Sequence, residues 1–350
     1  MSLPDMPSGL RLDLLDIEAS CPIWVGALDG GDVRIAVALG AGGARGYAHI
    51  GAIQVLEERG FDIVAIAGSS MGALVGGLYA AGKLDAYADW VRTIGQRDVL
   101  RLLDPRAGAP GAIRAEKLMA RVRELFDGVR IEQLSVPFTA VATDLLARRA
   151  VWFQRGPVDV AVRASIALPP AISPVMINGR LLADGGLMEP LPMAPTIIMP
   201  ADAVVAVSLK AAGTDSHPAA AVRESADPRP GRGGRDHPRG PAGFVDRVIS
   251  GGGVSGDGSP AADAAAETIT TDDGGLGQLP ADLRVPDVMS LSLEAVRDLL
   301  TRYQLASYPP DLLIEIPTEA VRTYEFHRAT EMIEVGRRAA LDALASSPFA

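Results

Sequence analysis

Apolar residues in this chain come in short unbroken runs, the pattern of strands buried on both faces. Ile35–Leu39, Ile63–Ala67, Phe138–Asp144, Val204–Leu209 and Leu312–Ile316 are such runs, rich in Val, Ile and Ala. Strands that exposed one face to water would alternate apolar and polar positions instead. Between the runs the periodicity changes to helix spacing, which predicts helices over Tyr47–Arg59, Met71–Ala81, Asp85–Gln96 and Ala115–Phe126. This alternation predicts an α/β fold with a mostly parallel sheet covered on both faces. Ala150–Phe153 reads as a partner for Phe138–Asp144. Asn178-Gly179, between Pro174–Ile177 and Arg180–Ala183, reads as a hairpin turn. The residues from Thr323 to Leu344 read as a long amphipathic helix. The helices over Asp85–Gln96 and Ala115–Phe126 follow the second strand, and one of them is placed to roof a pocket.

Two turns in this pattern carry candidate chemistry. Gly68-Ser69-Ser70-Met71-Gly72 closes one apolar run and opens an Ala/Gly/Leu-rich helix. A G-x-S-x-G at a strand-to-helix junction is the setting of a nucleophile elbow, in which small neighbours let a strained serine present its hydroxyl at the sheet edge. Upstream, Gly40-Ala41-Gly42-Gly43-Ala44-Arg45-Gly46 lies between a strand and a helix N-terminus. Such a turn exposes main-chain N–H groups and adds the helix dipole. A dinucleotide fingerprint would need glycine where Arg45 stands, and its acidic ribose partner would have to be Asp62, at a helix–strand junction. A Walker A loop would need a following Gly-Lys-Ser/Thr. With a serine elbow next in the chain, the N–H groups of Gly42, Gly43 and Ala44 read as an oxyanion hole, with Arg45 adding charge or bracing the loop. A serine also needs a base. Asp184 falls where the hairpin's second strand ends, before Gly185 and Gly186.

Together, "ALGAGGARGYAHIGAIQVLEERG", "IAGSSMGALVGGLYAAG" and "LLADGGLMEPLP" resemble the patatin-like phospholipase family, and the later segments "YPPDLLIEIP" and "YEFHRATEMIEVGRRAA" resemble its bacterial branch. The resemblance runs from about residue 34 to 211 and resumes from about 287 to 344. It implies a three-layer α/β/α fold and hydrolysis of lipid acyl esters by a serine–aspartate dyad, with no cofactor and no metal. On this correspondence Ser70 is the nucleophile and Asp184 the base. Gly42, Gly43 and Ala44 form the oxyanion hole, supported by Arg45, Gly46, Gly68, Gly72, Gly185 and Gly186. The same acyl-enzyme would also serve an acyltransferase. A Ser70–Asp184–His327 triad would instead follow α/β-hydrolase chain order, although His327 lies in a helical pattern rather than on a loop. His49 reads as a packed helix residue, and His217 and His237 lie in a Gly/Pro/Arg-rich stretch. Asp144 is an alternative base in a turn, and Ser165, without elbow glycines, reads as structural. The non-enzyme alternatives are a nucleotide-binding module built on the Gly40–Gly46 turn and a regulatory protein with a residual motif.

Composition narrows the partners. The chain has 350 residues, is 48% hydrophobic and carries a formal charge of −10. That balance argues against a broad nucleic-acid surface. A lone Cys21 fits a reducing compartment. The expected segments are an N-terminal arm (1–33), a catalytic core (34–211), a flexible Gly/Pro-rich insertion (212–285) and a C-terminal part of the same domain (286–350). With no secretory pattern at Met1 and no apolar stretch of membrane-spanning length, the expectation is a cytoplasmic enzyme that meets lipid or acyl-ester substrate at a membrane surface transiently.

Overall fold

A computed structural model of the protein describes residues 33–103, 116–169, 171–209, 283, 285–317 and 325–349. The strands are β1 (Arg34–Leu39), β2 (Asp62–Ser69), β3 (Phe138–Asp144), β4 (Arg149–Phe153), β5 (Val175–Ile177), β6 (Arg180–Asp184), β7 (Ala203–Ser208) and β8 (Leu312–Glu315). The helices are α1 (Ala48–Glu58), α2 (Met71–Ala80), α3 (Leu84–Arg92), α4 (Gln96–Leu103), α5 (Glu116–Phe126), α6 (Val158–Ser165), α7 (Ala194–Ile197), α8 (Val285–Ser307) and α9 (Ala329–Ala345). Cys21, His217, His237, residues 1–32 of the expected arm and nearly all of the expected 212–285 insertion lie outside the described residues. So do Ala115 and Pro170.

The strands form one sheet in the order β5-β6-β3-β2-β1-β7-β8, with β4 paired to β3. β3, β2, β1, β7 and β8 run parallel, as their apolar runs predict. β4 and the β5–β6 hairpin are antiparallel. Asn178 and Gly179 both have positive φ, 48° and 75°, as a two-residue hairpin turn of the mirror-image type requires.

Successive residues of a strand point to opposite faces, and the cores follow that rule. Ile35, Val37 and Leu39 of β1 join Val205 and Val207 of β7 in the main core, with Ile53 of α1, Leu78 of α2 and Met332 of α9. Ala38 and Ala206 face the other way, onto Leu191, Met193 and Leu305 of α8. Helices therefore cover both faces, giving three layers. On the main-core side α1 and α9 cross without intervening side chains. A Cβ at Gly51 would overlap the Ile333 carbonyl oxygen, and one at Gly336 would overlap that of Ala48.

The helices depart from expectation in several places, and the one expected from Thr323 begins at Ala329. The helix expected over Asp85–Gln96 stops at Arg92, and a separate α4 begins at Gln96. The break is held locally: Thr93 Oγ1 donates to the Trp90 carbonyl, and the Gly95 amide donates to the Asp98 carboxylate that follows. The periodicity predicts no helix at α6, α7 or α8. Lastly, neither α3 nor α5 needs to serve as a roof, since both turn their apolar sides into the main core through Tyr87, Val91, Met119 and Val122. The helix whose side chains approach the glycine-rich turn and the Asp-Gly-Gly turn is α8.

Candidate active site

Ser70 and Asp184, 114 residues apart in sequence, are brought together by the register around β3. β2 runs parallel to β3 and ends with Ser69 opposite Val141. β6 runs antiparallel to β3 and ends with Asp184 opposite Ala142. β4 pairs β3 over residues 140–144. A strand has only two edges, so β2 and β6 share the other one. They approach head to head and end opposite consecutive residues of β3. Each chain must leave the sheet at that point. A Cβ at Gly185 would overlap the Val141 carbonyl oxygen and lie 3.0 Å from Ser69 Oγ, which explains the glycine where β6 turns away.

β2 leaves through a strained serine. Ser70 has φ 57° and ψ −121°, in a region that costs a non-glycine residue on the order of 1–3 kcal/mol. Its amide donates to Ser165 Oγ at 2.9 Å, and Ser165 in turn donates to the Val141 carbonyl. Ser70 Oγ donates to Asp184 Oδ2 at 2.6 Å, and the Gly186 amide donates to Asp184 Oδ1 at 2.7 Å. Ser70 is 7% exposed and Asp184 1%. Burial pushes the Asp184 carboxyl above its ordinary range. The charge of Arg297, the Ser70 hydroxyl and the Gly186 amide all pull it back toward the ionised form.

The glycine-rich turn is locked onto both segments. A Cβ at Gly72 would overlap the Leu39 carbonyl oxygen, one at Gly46 would overlap Met71, and one at Gly186 would lie 2.6 Å from the Ala41 Cβ. Gly68 is equally confined, its Cβ position falling on the Gly72 main chain. The three motifs thus meet at close range, with main chain on main chain where Gly72 faces Leu39 and Gly40. Within the turn, the Gly40 amide donates to Val207 and the Ala41 amide to Pro190, whereas the amides of Gly42 and Gly43 take no backbone acceptor among the described residues. A short 3-10 turn, Gly43–Tyr47, then leads into α1. Arg45 is 9% exposed, and its guanidinium meets Glu294 of α8 at 3.5 Å.

The other titratable candidates fall elsewhere. His49, fully buried on α1, donates through Nε2 to the Gly40 carbonyl at 2.8 Å, since a carbonyl can only accept. Burial lowers its pKa to about 4, so the ring is neutral near pH 7 and braces the turn. Asp144 accepts from the amides of Leu146 and Ala147 in the β3–β4 turn. His327 lies in the 3-10 turn Phe326–Arg328, against α3 and α4 rather than on a long helix. The serine hydroxyl reaches Asp184 directly, with no imidazole between them. Among the described residues no group of three or more His, Cys, Asp or Glu is arranged to hold a metal ion.

Three residues near the site carried no sequence signal. Ser165 holds the elbow amide from α6. Thr143 Oγ1 donates to the Asp184 carbonyl at 2.9 Å. Arg297 approaches from α8. Each acts through its place in the fold, and none sits in a motif of fixed spacing.

The patatin-like phospholipase family profile matches residues 37–197, which include all three motifs. An uncharacterized NTE family protein of Mycobacterium tuberculosis is 47% identical over 345 residues, spanning 89% of this chain and 91% of its own length. A lysophospholipase NTE1 of Cryptococcus neoformans is 34% identical over 174 residues, 46% of this chain and 10% of that longer relative. Among solved structures, VipD from Legionella pneumophila aligns over 90% of this chain and 67% of its own with a TM-score of 0.40 at 15% identity. On the strength of the mycobacterial relative, similar along about nine-tenths of both chains, and of the matching profile, this chain belongs to the NTE family of patatin-like phospholipases.

Proposed function

We propose that the protein hydrolyses acyl esters of lipids, in the manner of a phospholipase A or lysophospholipase, through a Ser70–Asp184 dyad. The observation that carries this reading is the 2.6 Å hydrogen bond from Ser70 Oγ to a buried carboxylate, at an elbow with φ 57°. The dyad meets the geometric requirement for an activated nucleophile, a base within hydrogen-bond reach and itself held by a third group. Here the third group is the Gly186 amide.

In the proposed reaction Asp184 takes the Ser70 proton as Oγ attacks the ester carbonyl carbon. The carbonyl oxygen becomes an oxyanion facing the amides of Gly42, Gly43 and Ala44. When the tetrahedral intermediate collapses, the bond to the leaving oxygen breaks and Asp184 returns the proton to it. A water molecule, deprotonated by Asp184, then attacks the acyl carbon; the acyl–Oγ bond breaks, Asp184 returns the proton to Ser70 Oγ, and the fatty acid leaves. Donors at an oxyanion typically contribute about a hundred- to thousandfold in rate each. An uncoupled Gly42–Gly43 pair at a loop packed against the elbow supports that assignment.

The test is labelling with a fluorophosphonate, together with turnover of p-nitrophenyl esters and lysophospholipids. The wild-type chain is expected to be labelled at Ser70 and to release acid from both substrate types. Ser70→Ala should fold normally, resist labelling and lose turnover by several orders of magnitude. A Ser70→Ala protein that retains turnover would overturn the dyad.

A further inference from the structure

Arg297 has no part in the reaction as written, yet it stands beside it. On α8, its Nη2 would lie 3.3 Å from a Cβ at Gly186, so the guanidinium rests against the Asp-Gly-Gly turn. The side chain is half-buried. Its charge is felt by Asp184, but among the described residues its guanidinium makes no hydrogen bond or ion pair. Arg45, the arginine of the glycine-rich turn, is already engaged by Glu294, one turn before Arg297 on the same helix. The site therefore holds one cation that is engaged and one whose planar fork of donors is open.

The position of Arg297 also has a direction. The carboxylate that returns a proton to the leaving oxygen must face the leaving-group side of the ester. Arg297 packs on the turn that carries that carboxylate. In a glycerophospholipid the leaving group is a glycerophosphate, with its phosphate a few bonds beyond the ester oxygen. A neutral glyceride presents only hydroxyl or further ester groups there. A guanidinium fork matches phosphate oxygens in a two-point, charge-assisted contact. We propose that Arg297 binds the phosphate on the leaving-group side and so makes the site selective for phosphate-bearing acyl esters over neutral ones. This inference rests on the hydrolase reading above and names the feature of the substrate that the same site reads. Arg297 lies beyond the residues 37–197 that match the family profile.

The test uses the full chain and a matched pair of substrates, a lysophosphatidylcholine and a monoacylglycerol with the same acyl group, short enough to remain monomeric. kcat/KM is measured on both for wild type, Arg297→Gln and Arg297→Lys. Wild type is expected to prefer the lysophosphatidylcholine. Arg297→Gln should reduce that preference about ten- to hundredfold, the range of a charge-assisted contact, and Arg297→Lys should retain an intermediate preference. Equal losses on both substrates would overturn the proposal and leave Arg297 acting only through Asp184. If Arg297→Gln proves unstable by thermal unfolding, Arg297→Lys carries the same comparison. Failure of the hydrolase reading looks different, because Ser70→Ala would then retain turnover of both substrates whatever stands at 297.

Discussion

A carboxyl group that is to accept a proton must first be ionised, so if Asp184 is the base as proposed, its surroundings set the acid limit of the reaction. Burial raises its pKa, and Arg297, Ser70 and the Gly186 amide lower it again, leaving it above the ordinary value of 3.8. The sign follows: kcat/KM is full above that raised pKa and falls as pH drops through it. Removing the positive charge in Arg297→Gln takes away a stabiliser of the carboxylate, so the acid limb moves to higher pH. A pH profile on a neutral p-nitrophenyl ester measures both. A limb that stays in place in the variant would mean that the charge does not reach the dyad. At this scale the sequence was legible where a residue's role is marked by its immediate neighbours. Ser70 is flanked by the glycines its elbow needs, and Asp184 by the two that let β6 turn away. Ser165 and Arg297 lack such neighbours. Their partners lie 95 and more than a hundred residues away in sequence, and only the folded arrangement brings them together.

Among elements, the central strands declared themselves because burial on both faces leaves an unbroken apolar run, and the observed ends lie within about two residues of the expected ones. The helices were less legible. α3 and α4 share an apolar periodicity that continues past Gly95, and the break between them is made by side-chain contacts that periodicity does not contain. α8 mixes exposed Val288, Met289, Val296 and Leu299 with part-buried positions, so its apolar residues do not mark out a single buried face. The crossing of α1 and α9 gives a prediction of its own. At Gly336 any side chain meets the Ala48 main chain, which cannot rotate out of the way as a side-chain tip would. Gly336→Leu forces the two helices apart and should lower unfolding free energy by about 3 kcal/mol or more, the upper part of the overpacking range. Denaturant titration would show it, and a midpoint equal to wild type would mean that the helices meet less closely than described.

For the molecule as a whole, His49 links stability to pH. The unfolded chain binds a proton there below about pH 6.5, whereas in the folded protein the imidazole holds out until about 4. The unfolded state therefore binds more protons across that window, and stability falls as pH falls through it, by about 3 kcal/mol at most. His49→Gln keeps a donor for the Gly40 carbonyl and has nothing to titrate. Its stability, followed by chemical denaturation from pH 7 to 4.5, should decline less than that of wild type. Equal declines would place the acid sensitivity in other groups. Among the described residues no helix is long and apolar enough to cross a membrane, and the expected insertion lies outside them. What the fold does supply is a pair of opposed strand ends on a single hydrogen-bonded sheet. The proposed nucleophile and base, Ser70 and Asp184, are thus mounted on one frame, hydrogen-bonded to each other before any ester arrives. A substrate has only to dock, not to assemble the machinery. On the proposed reading, discrimination among esters then falls to whatever leans in from outside that frame, as α8 does.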